Sequence, residues 1–122
     1  MSYAHTKYEV IVMAAGVLQT PADKGSWGPG YINHYVRAVS VLVTTATTGA
    51  SGVIKGDILQ NDGSTRGDGD GFVVTVPNLT AGSVVYKDNL NILLTPGMRL
   101  FIELTTASGA GAGQVTIYVE PS

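Results

Sequence analysis

Residues 35–45 read YVRAVSVLVTT, a long run rich in valine and threonine. β-Branched side chains fit the pleated surface of a sheet and lose rotamer freedom in a helix, so the run predicts a β-strand. Successive side chains of a strand point to opposite faces. Apolar residues occupy both sides of the predicted strand: Val39, Val41 and Val43 on one side, and Val36, Ala38 and Leu42 on the other. We therefore expect a strand that is covered on both faces.

Similar alternation recurs on either side of this run. Sixteen glycines and many Val and Thr residues divide the chain into short segments, which is typical of antiparallel β structure. Further strands are predicted at 8–14, 53–60, 72–76, 98–106 and 114–120, and 84–94 is predicted to be two strands or one bent strand. The stretch 17–30, VLQTPADKGSWGPG, contains two prolines and several glycines and is predicted to be a loop, as is 77–82.

About eight short strands without helices predict an all-β fold, an antiparallel β-sandwich with jelly-roll or similar Greek-key winding. Immunoglobulin-like topology is the next choice, although its Cys, Trp, Cys spacing is absent. The 122 residues are predicted to form one sandwich domain, residues 1–122, with an extended N-terminal arm at residues 1–7.

The closing segment is predicted to be a hairpin of strands 98–106 and 114–120. Pairing inward residues with inward residues places Leu104 opposite Val115 and Ile102 opposite Ile117. The same register sets two outward rings, Phe101 and Tyr118, opposite one another. They either stack on each other or are covered by a neighbouring subunit.

Composition points to a component of an assembly. Only 13% of the residues are charged and 44% are hydrophobic, so little charge is present to coat the surface. Large uncharged patches on a free monomer are uncommon and tend to associate. The seven basic residues are scattered, which disfavours nucleic-acid binding. No run approaches the ~20 apolar residues that span a bilayer, and the absence of cysteine excludes disulfides.

Catalysis has little support in the sequence. His5 lies in the N-terminal tail and His34 precedes a predicted strand, and no serine has the surroundings of a hydrolytic nucleophile. We expect no enzyme activity, no catalytic residues and no cofactor.

The loop GSTRGDGDGF, residues 63–72, combines an Arg-Gly-Asp tripeptide with alternating carboxylates. Asp68 and Asp70 are the candidate ligands of a cation, but the ligand spacing of an EF-hand fails because its fifth position is Phe72. The tripeptide arises often by chance. Gly and Asp supply the backbone angles of a connection between strands, so we expect the loop to turn a corner.

Trp27 lies in a Gly- and Pro-rich stretch, SWGPGY, near Tyr31 and Tyr35. Such a ring caps the open end of a sandwich, contacts a protein partner or stacks on a sugar. All three interpretations remain open at this point.

Compact length, low charge, no cysteine and strands rich in Gly, Thr and Val make the chain similar to the small all-β capsid decoration, or cement, proteins of bacteriophages. Its end, TPGMRLFIELTTASGAGAGQVTIYVEPS, also resembles the terminal hairpin of many phage structural proteins. The resemblance implies synthesis in the host cytoplasm and a place on the outer surface of a virion. There the protein would bridge neighbouring major capsid proteins and associate with itself as a dimer or trimer. No functional residue carries over from it.

Outward aromatic residues and chain ends are the expected partner-binding residues: Tyr3, His5, Trp27, Tyr31, Phe101 and Tyr118. Two alternatives remain. One is a carbohydrate- or receptor-binding module of a phage tail fibre or adhesin, and the other is a structural subunit of another shell or tail.

Overall fold

The computed structural model describes residues 9–18, 21–63 and 66–121. The expected N-terminal arm, with Tyr3 and His5, lies outside the described residues. Within these ranges the chain forms nine β-strands: β1 (Glu9–Val17), β2 (Ala22–Trp27), β3 (His34–Thr48), β4 (Gly52–Leu59), β5 (Phe72–Val76), β6 (Val84–Lys87), β7 (Ile92–Leu94), β8 (Arg99–Thr106) and β9 (Ala110–Pro121). None of the described residues belongs to a helix long and apolar enough to span a membrane.

The strands form two antiparallel sheets. The first has the order β1-β9-β3, and β6 and β7 both pair with β3. β6 pairs with residues 39–42 of β3 and β7 with residues 34–36, so the two short strands lie one after the other along that strand. The second sheet has the order β2-β8-β4-β5.

The order of pairing defines a jelly roll. When β6 and β7 are taken as one interrupted strand, the first half of the chain pairs with the second half in reverse: β1 with β9, β2 with β8, β3 with β6 and β7, and β4 with β5. This long folded ribbon is then wrapped into two sheets by the further pairs β3 with β9 and β4 with β8. The predicted all-β sandwich with jelly-roll winding is confirmed.

The core lies between the two sheets. Its buried residues include alternate side chains of several strands: Val39, Val41, Val43, Phe72, Val74, Val76, Leu100, Ile102, Leu104, Val115, Ile117 and Val119. Val36 also belongs to this core cluster, although a strict alternation places it on the opposite side from Val39. The register of β3 against β9 shifts between Val36 and Ala38, and this bulge reverses the alternation.

The predicted terminal hairpin is wrong. β8 pairs with β2 and β4, whereas β9 pairs with β1 and β3, so the two strands lie in different sheets. Phe101 and Tyr118 are therefore not opposite one another. The inward residues of β8 and β9 do face the same core, because alternation has the same form for strands that pair and for strands that pack face to face.

The predicted loop at 17–30 is also wrong in part, because Ala22–Trp27 forms β2. Backbone pairing with β8 overrides the low strand propensity of this stretch, and the ladder is irregular between Asp23 and Gly25. The strand at 72–76 is confirmed with the predicted bounds. The 84–94 region forms two strands, and the break between them contains two residues with positive φ, Asn89 and Asn91.

Candidate functional site

An ion network covers the outer face of the second sheet. The guanidinium of Arg66, in the 61–71 loop, donates to both carboxylate oxygens of Asp23 on β2, at 2.9 and 2.5 Å. Its Nη2 also donates to Oδ2 of Asp57 on β4, at 3.0 Å. The same guanidinium lies over the ring of Phe101 on β8, with Cζ 4.2 Å from the ring centroid. One side chain of the loop therefore joins three neighbouring strands.

The loop that carries Arg66 is fastened to the end of β4. The backbone N–H of Gly67 donates to the carbonyl of Ile58 at 2.9 Å, and the N–H of Ile58 donates to Oδ1 of Asp70 at 2.9 Å. The N–H of Gly69 donates to Oδ1 of Asp57 at 2.7 Å. A Cβ on Gly67 would meet the carboxylate of Asp70, so a side chain at this position would displace that group. The loop thus continues the pairing with β4 beyond Phe72, the first residue of β5.

The charges and hydrogen bonds of this network shift the pKa values of three of its side chains. Arg66 lowers the pKa of Asp23 from its ordinary value, chiefly through the hydrogen bond between them. The pKa of Arg66 is raised, first by the hydrogen bond to Asp23 and then by the bond to Asp57. The pKa of Glu103 is raised by burial and then by its hydrogen bond to Asp57 and that group's negative charge. Burial and the neighbouring Asp57 carboxylate therefore disfavour the charged form of Glu103 relative to a free glutamate.

Carboxylate oxygens of Asp57, Asp68 and Glu103 lie within 4.8 Å of one another, a separation that a metal ion could bridge. These groups already have partners. Asp57 accepts from Arg66 and Gly69, and Oδ1 of Asp68 lies 3.2 Å from Nζ of Lys55. The arrangement is accounted for by ion pairs and hydrogen bonds within the chain. Asp70, the other predicted cation ligand, instead holds the N–H of Ile58.

The structure answers what the Arg-Gly-Asp tripeptide does in this fold. The guanidinium of Arg66 and the carboxylate of Asp68 are both engaged by side chains of the second sheet. The loop turns a corner, as predicted from its glycines, and it also bridges strands.

A second feature is the loop between β2 and β3, residues 28–33. Trp27 is buried, and its ring packs edge-on against the ring of His34, with centroids 4.8 Å apart. Nδ1 of His34 donates to the carbonyl of Ile32 at 2.9 Å, and the N–H of Gly97 donates to the carbonyl of Gly30 at 3.2 Å. Trp27 thus lies beneath the loop, as the cap interpretation requires.

The same loop presents apolar side chains to solvent. Tyr31 is 96% exposed and Ile32 is 54% exposed. A concavity of about 530 Å³ beside them is lined by Trp27 and His34 among others. We define residues 28–33 as the anchored loop, because hydrogen bonds and the Trp27–His34 pair support it from below.

The outer face of the first sheet carries the remaining predicted aromatic residue. Tyr118 on β9 is half-buried and meets the ring of Tyr86 on β6 edge-on, with centroids 6.1 Å apart. A groove of about 350 Å³ lies beside this pair. Phe101 lies on the outer face of the other sheet, under Arg66. The predicted partner-binding residues that are described therefore lie in three separate places.

Sequence reasoning missed several residues of these surfaces. Asp23 and Asp57 are scattered single carboxylates with no motif around them, and Arg37 and Tyr86 are separated by many residues from their neighbours in the groove. A carboxylate within an otherwise largely apolar strand is a signal in principle, because a charged group that becomes buried needs an ionic or hydrogen-bonding partner. The sequence does not say which cation provides it.

No protein-family model and no curated protein matches this chain. Among solved structures, the chain is similar to one described as the structure of infectious bursal disease virus Gx strain, with a TM-score of 0.42 and 14% sequence identity. The similarity covers 94% of this chain and 33% of that chain, so this chain spans about a third of the length of that protein. The strand order itself defines the jelly roll of this chain.

Proposed function

We propose that this chain is a non-enzymatic structural protein of a virion, which binds the outer surface of a phage capsid and bridges neighbouring major capsid proteins. The observation that carries the proposal is the anchored loop, which holds Tyr31 and Ile32 in solvent on a supported backbone. This feature fits a protein that works by adhesion.

Exposed apolar side chains on a supported loop are suited to binding a protein surface. Aromatic residues are enriched among the residues that dominate binding energies at interfaces. A loop backbone that is already held in place loses less conformational freedom on binding, so more of the contact energy appears as affinity. His34 and Gly97 provide this support through hydrogen bonds to the loop backbone. Tyr31 and Ile32 are therefore the proposed anchors.

Bridging follows when several loops act together. Association of copies as a dimer or trimer would place one anchored loop per subunit against different capsid proteins. The linked contacts then resist separation more than any single contact does. The low proportion of charged residues, 13%, favours such association.

The test uses empty shells of the virus that encodes this chain, prepared without it, and the purified protein. Wild-type protein should bind saturably on co-sedimentation and raise the temperature at which the shells rupture. Tyr31→Ser with Ile32→Ser should weaken binding at least tenfold, because both anchors are lost. Val73→Ser is the matched control, since Val73 is an exposed apolar residue on β5, away from the loop, and its change should leave binding intact.

Absence of binding, or binding with no gain in rupture temperature, would discard the bridging role. Electron microscopy of the particles separates decoration from the alternative of a shell or tail subunit. A decorating protein can be removed while the shell survives, whereas a shell subunit cannot.

A further inference from the structure

The groove on the outer face of the first sheet is built from parts of three strands and one irregular segment. Tyr86 comes from β6 and Tyr118 from β9, and their rings meet at an interplanar angle of 79°. Ala38, at the bulge of β3, lies between them in the sheet, since it pairs with Tyr118. The small side chain of Ala38 leaves space of about 350 Å³, which lies at the lower end of the range for small-ligand sites.

Polar side chains form the rim of this groove, and they are held in place. Nε of Arg37 donates to Glu120 at 2.8 Å, and its Nη1 donates to Oδ1 of Asn91 at 2.5 Å. Because the Asn91 oxygen accepts from Arg37, the polar group that Asn91 brings to the groove lining besides this oxygen is its amide nitrogen, a donor. Asp88 adds carboxylate acceptors and Asn89 a further amide. The rim thus offers both donors and acceptors beside two aromatic rings.

The backbone of the rim is unusual. Asn89 has φ of 56° and Asn91 has φ of 51°, and these are the positive-φ residues other than glycine in the described part of the chain. Asparagine tolerates this left-handed region better than most residues, but it is still a minority conformation. Uncommon backbone conformations of this kind cluster at ligand-binding positions. Both of them occur in the segment that forms one wall of the groove.

We propose that this groove binds one or two rings of a neutral saccharide, with Tyr86 as the stacking platform and Asn91 and Asp88 as hydrogen-bonding partners of the hydroxyl groups. A sugar ring has an apolar face of C–H groups and a rim of hydroxyls, each of which donates and accepts. The groove offers the complement of both, an exposed tyrosine ring and a mixed set of amide and carboxylate groups.

The charges around the groove select against anionic ligands. The positive charge of Arg37 is paired with Glu120, and Asp88 adds a second negative charge. A phosphate or sulfate group placed here would face more negative than positive charge and would lose its hydration as well. Peptides that extend a sheet bind along a strand edge, whereas this groove lies on a sheet face. A neutral polyhydroxyl ligand is the class that fits.

This site is independent of the proposed capsid role, because it uses neither Tyr31 nor Ile32. The probe is a glycan array that carries neutral oligosaccharides ending in glucose, galactose, mannose or N-acetylglucosamine, with sulfated and sialylated glycans for comparison. Wild-type protein should bind a subset of the neutral glycans. The best of these is then titrated in solution, with amide chemical shifts recorded by NMR.

Two variants test the assignment of residues. Tyr86→Ala should weaken binding of that glycan at least tenfold. Asn91→Gly, which keeps the positive φ accessible while removing the amide, should weaken it several-fold. Tyr31→Ala is the matched control, an exposed tyrosine elsewhere, and should bind the glycan as wild type does while its capsid binding is weakened. Circular dichroism and thermal unfolding confirm that each variant is folded.

The proposal would be overturned if no neutral glycan bound on the array or in the titration, if sulfated or sialylated glycans were preferred, or if binding survived Tyr86→Ala. Shift changes confined to residues around the anchored loop would also overturn it. Failure of the capsid test alone would leave the saccharide site standing, because that test reads out the anchored loop.

Discussion

Nη2 of Arg66 donates a hydrogen bond to Oδ2 of Asp57 at 3.0 Å, and Asp57 is only 2% exposed. The same guanidinium binds Asp23, whose side chain is 45% exposed. Loss of Arg66 would affect the two carboxylates differently. Water can replace Arg66 around Asp23, whereas Asp57 is a buried charge that would lose its cationic partner. A tripeptide associated with adhesion therefore serves here to compensate a buried carboxylate.

The first prediction follows from this difference. Arg66→Ala should lower the free energy of unfolding by about 2 kcal/mol, because a buried carboxylate loses a charge-assisted hydrogen bond. Asp23→Ala should cost less than about 1 kcal/mol, as exposed ion pairs do. Urea unfolding at pH 7 measures both. Equal losses of unfolding free energy for the two variants would show that the Arg66–Asp57 pair contributes no more than the exposed pair. Adding Asp57→Asn to Arg66→Ala removes the uncompensated charge and should restore part of the lost stability.

Glu103 gives a prediction for pH dependence. Its pKa is raised by burial and by Asp57. At pH values between the ordinary glutamate pKa of about 4.3 and the raised pKa, Glu103 is therefore protonated more often in the folded state than in the unfolded state. Stability contributed by this group is therefore lost as pH rises through that window. Glu103→Gln should be more stable than wild type at pH 7, by up to about 0.5 kcal/mol, the range of a surface substitution, and the difference should vanish at pH 3.

Urea unfolding across pH 3–8 measures the Glu103 effect. Glu120→Gln is the control, since Glu120 is paired with Arg37 at 2.8 Å and its neutralisation should lower stability at pH 7. A Glu103→Gln variant that is less stable than wild type at pH 7 would contradict the account of its environment.

A third prediction concerns Gly56 on β4, whose partner in β5 is Phe72. A Cβ on Gly56 would lie 2.4 Å from Cε2 of the Phe72 ring, which is almost completely buried. Gly56→Ala should therefore cost about 1–3 kcal/mol through overpacking. Phe72→Leu should relieve part of this cost, so the double variant should be more stable than the sum of single effects predicts. Strict additivity in thermal unfolding would rule out the contact.

Thr47 supplies a fourth prediction. Its buried Oγ1 donates to the carbonyl of Pro77 at 2.8 Å and accepts from the N–H of Leu79 at 2.8 Å. Thr47→Val keeps the shape but leaves both backbone groups without this partner, and should cost about 1–3 kcal/mol. Thr45→Val, at an exposed position of the same strand, should be close to neutral. Similar losses for both variants would mean that the hydroxyl is not what holds the 77–82 turn.

Much of the architecture was predictable from residue alternation. The strand at 72–76 and the inward faces of β8 and β9 were correct, since apolar side chains at alternate positions must face a core. β2 was missed because its residues have low strand propensity and acquire their conformation from pairing with β8. The groove was missed because Arg37, Tyr86 and Tyr118 meet only after β3 is placed between β6 and β9.

The sequence by itself determined that the chain forms strands, that the alternate apolar side chains of β8 and β9 face a core, and that little charge coats its surface, because these are local or additive properties of residues. Only the tertiary structure decided which strands pair. Alternation is the same for β8 and β9 whether they lie side by side or across the core, so the pattern cannot distinguish a hairpin from two facing sheets. It likewise decided that Arg66 meets Asp23, 43 positions away, because no local rule selects a partner for a single charge at that separation.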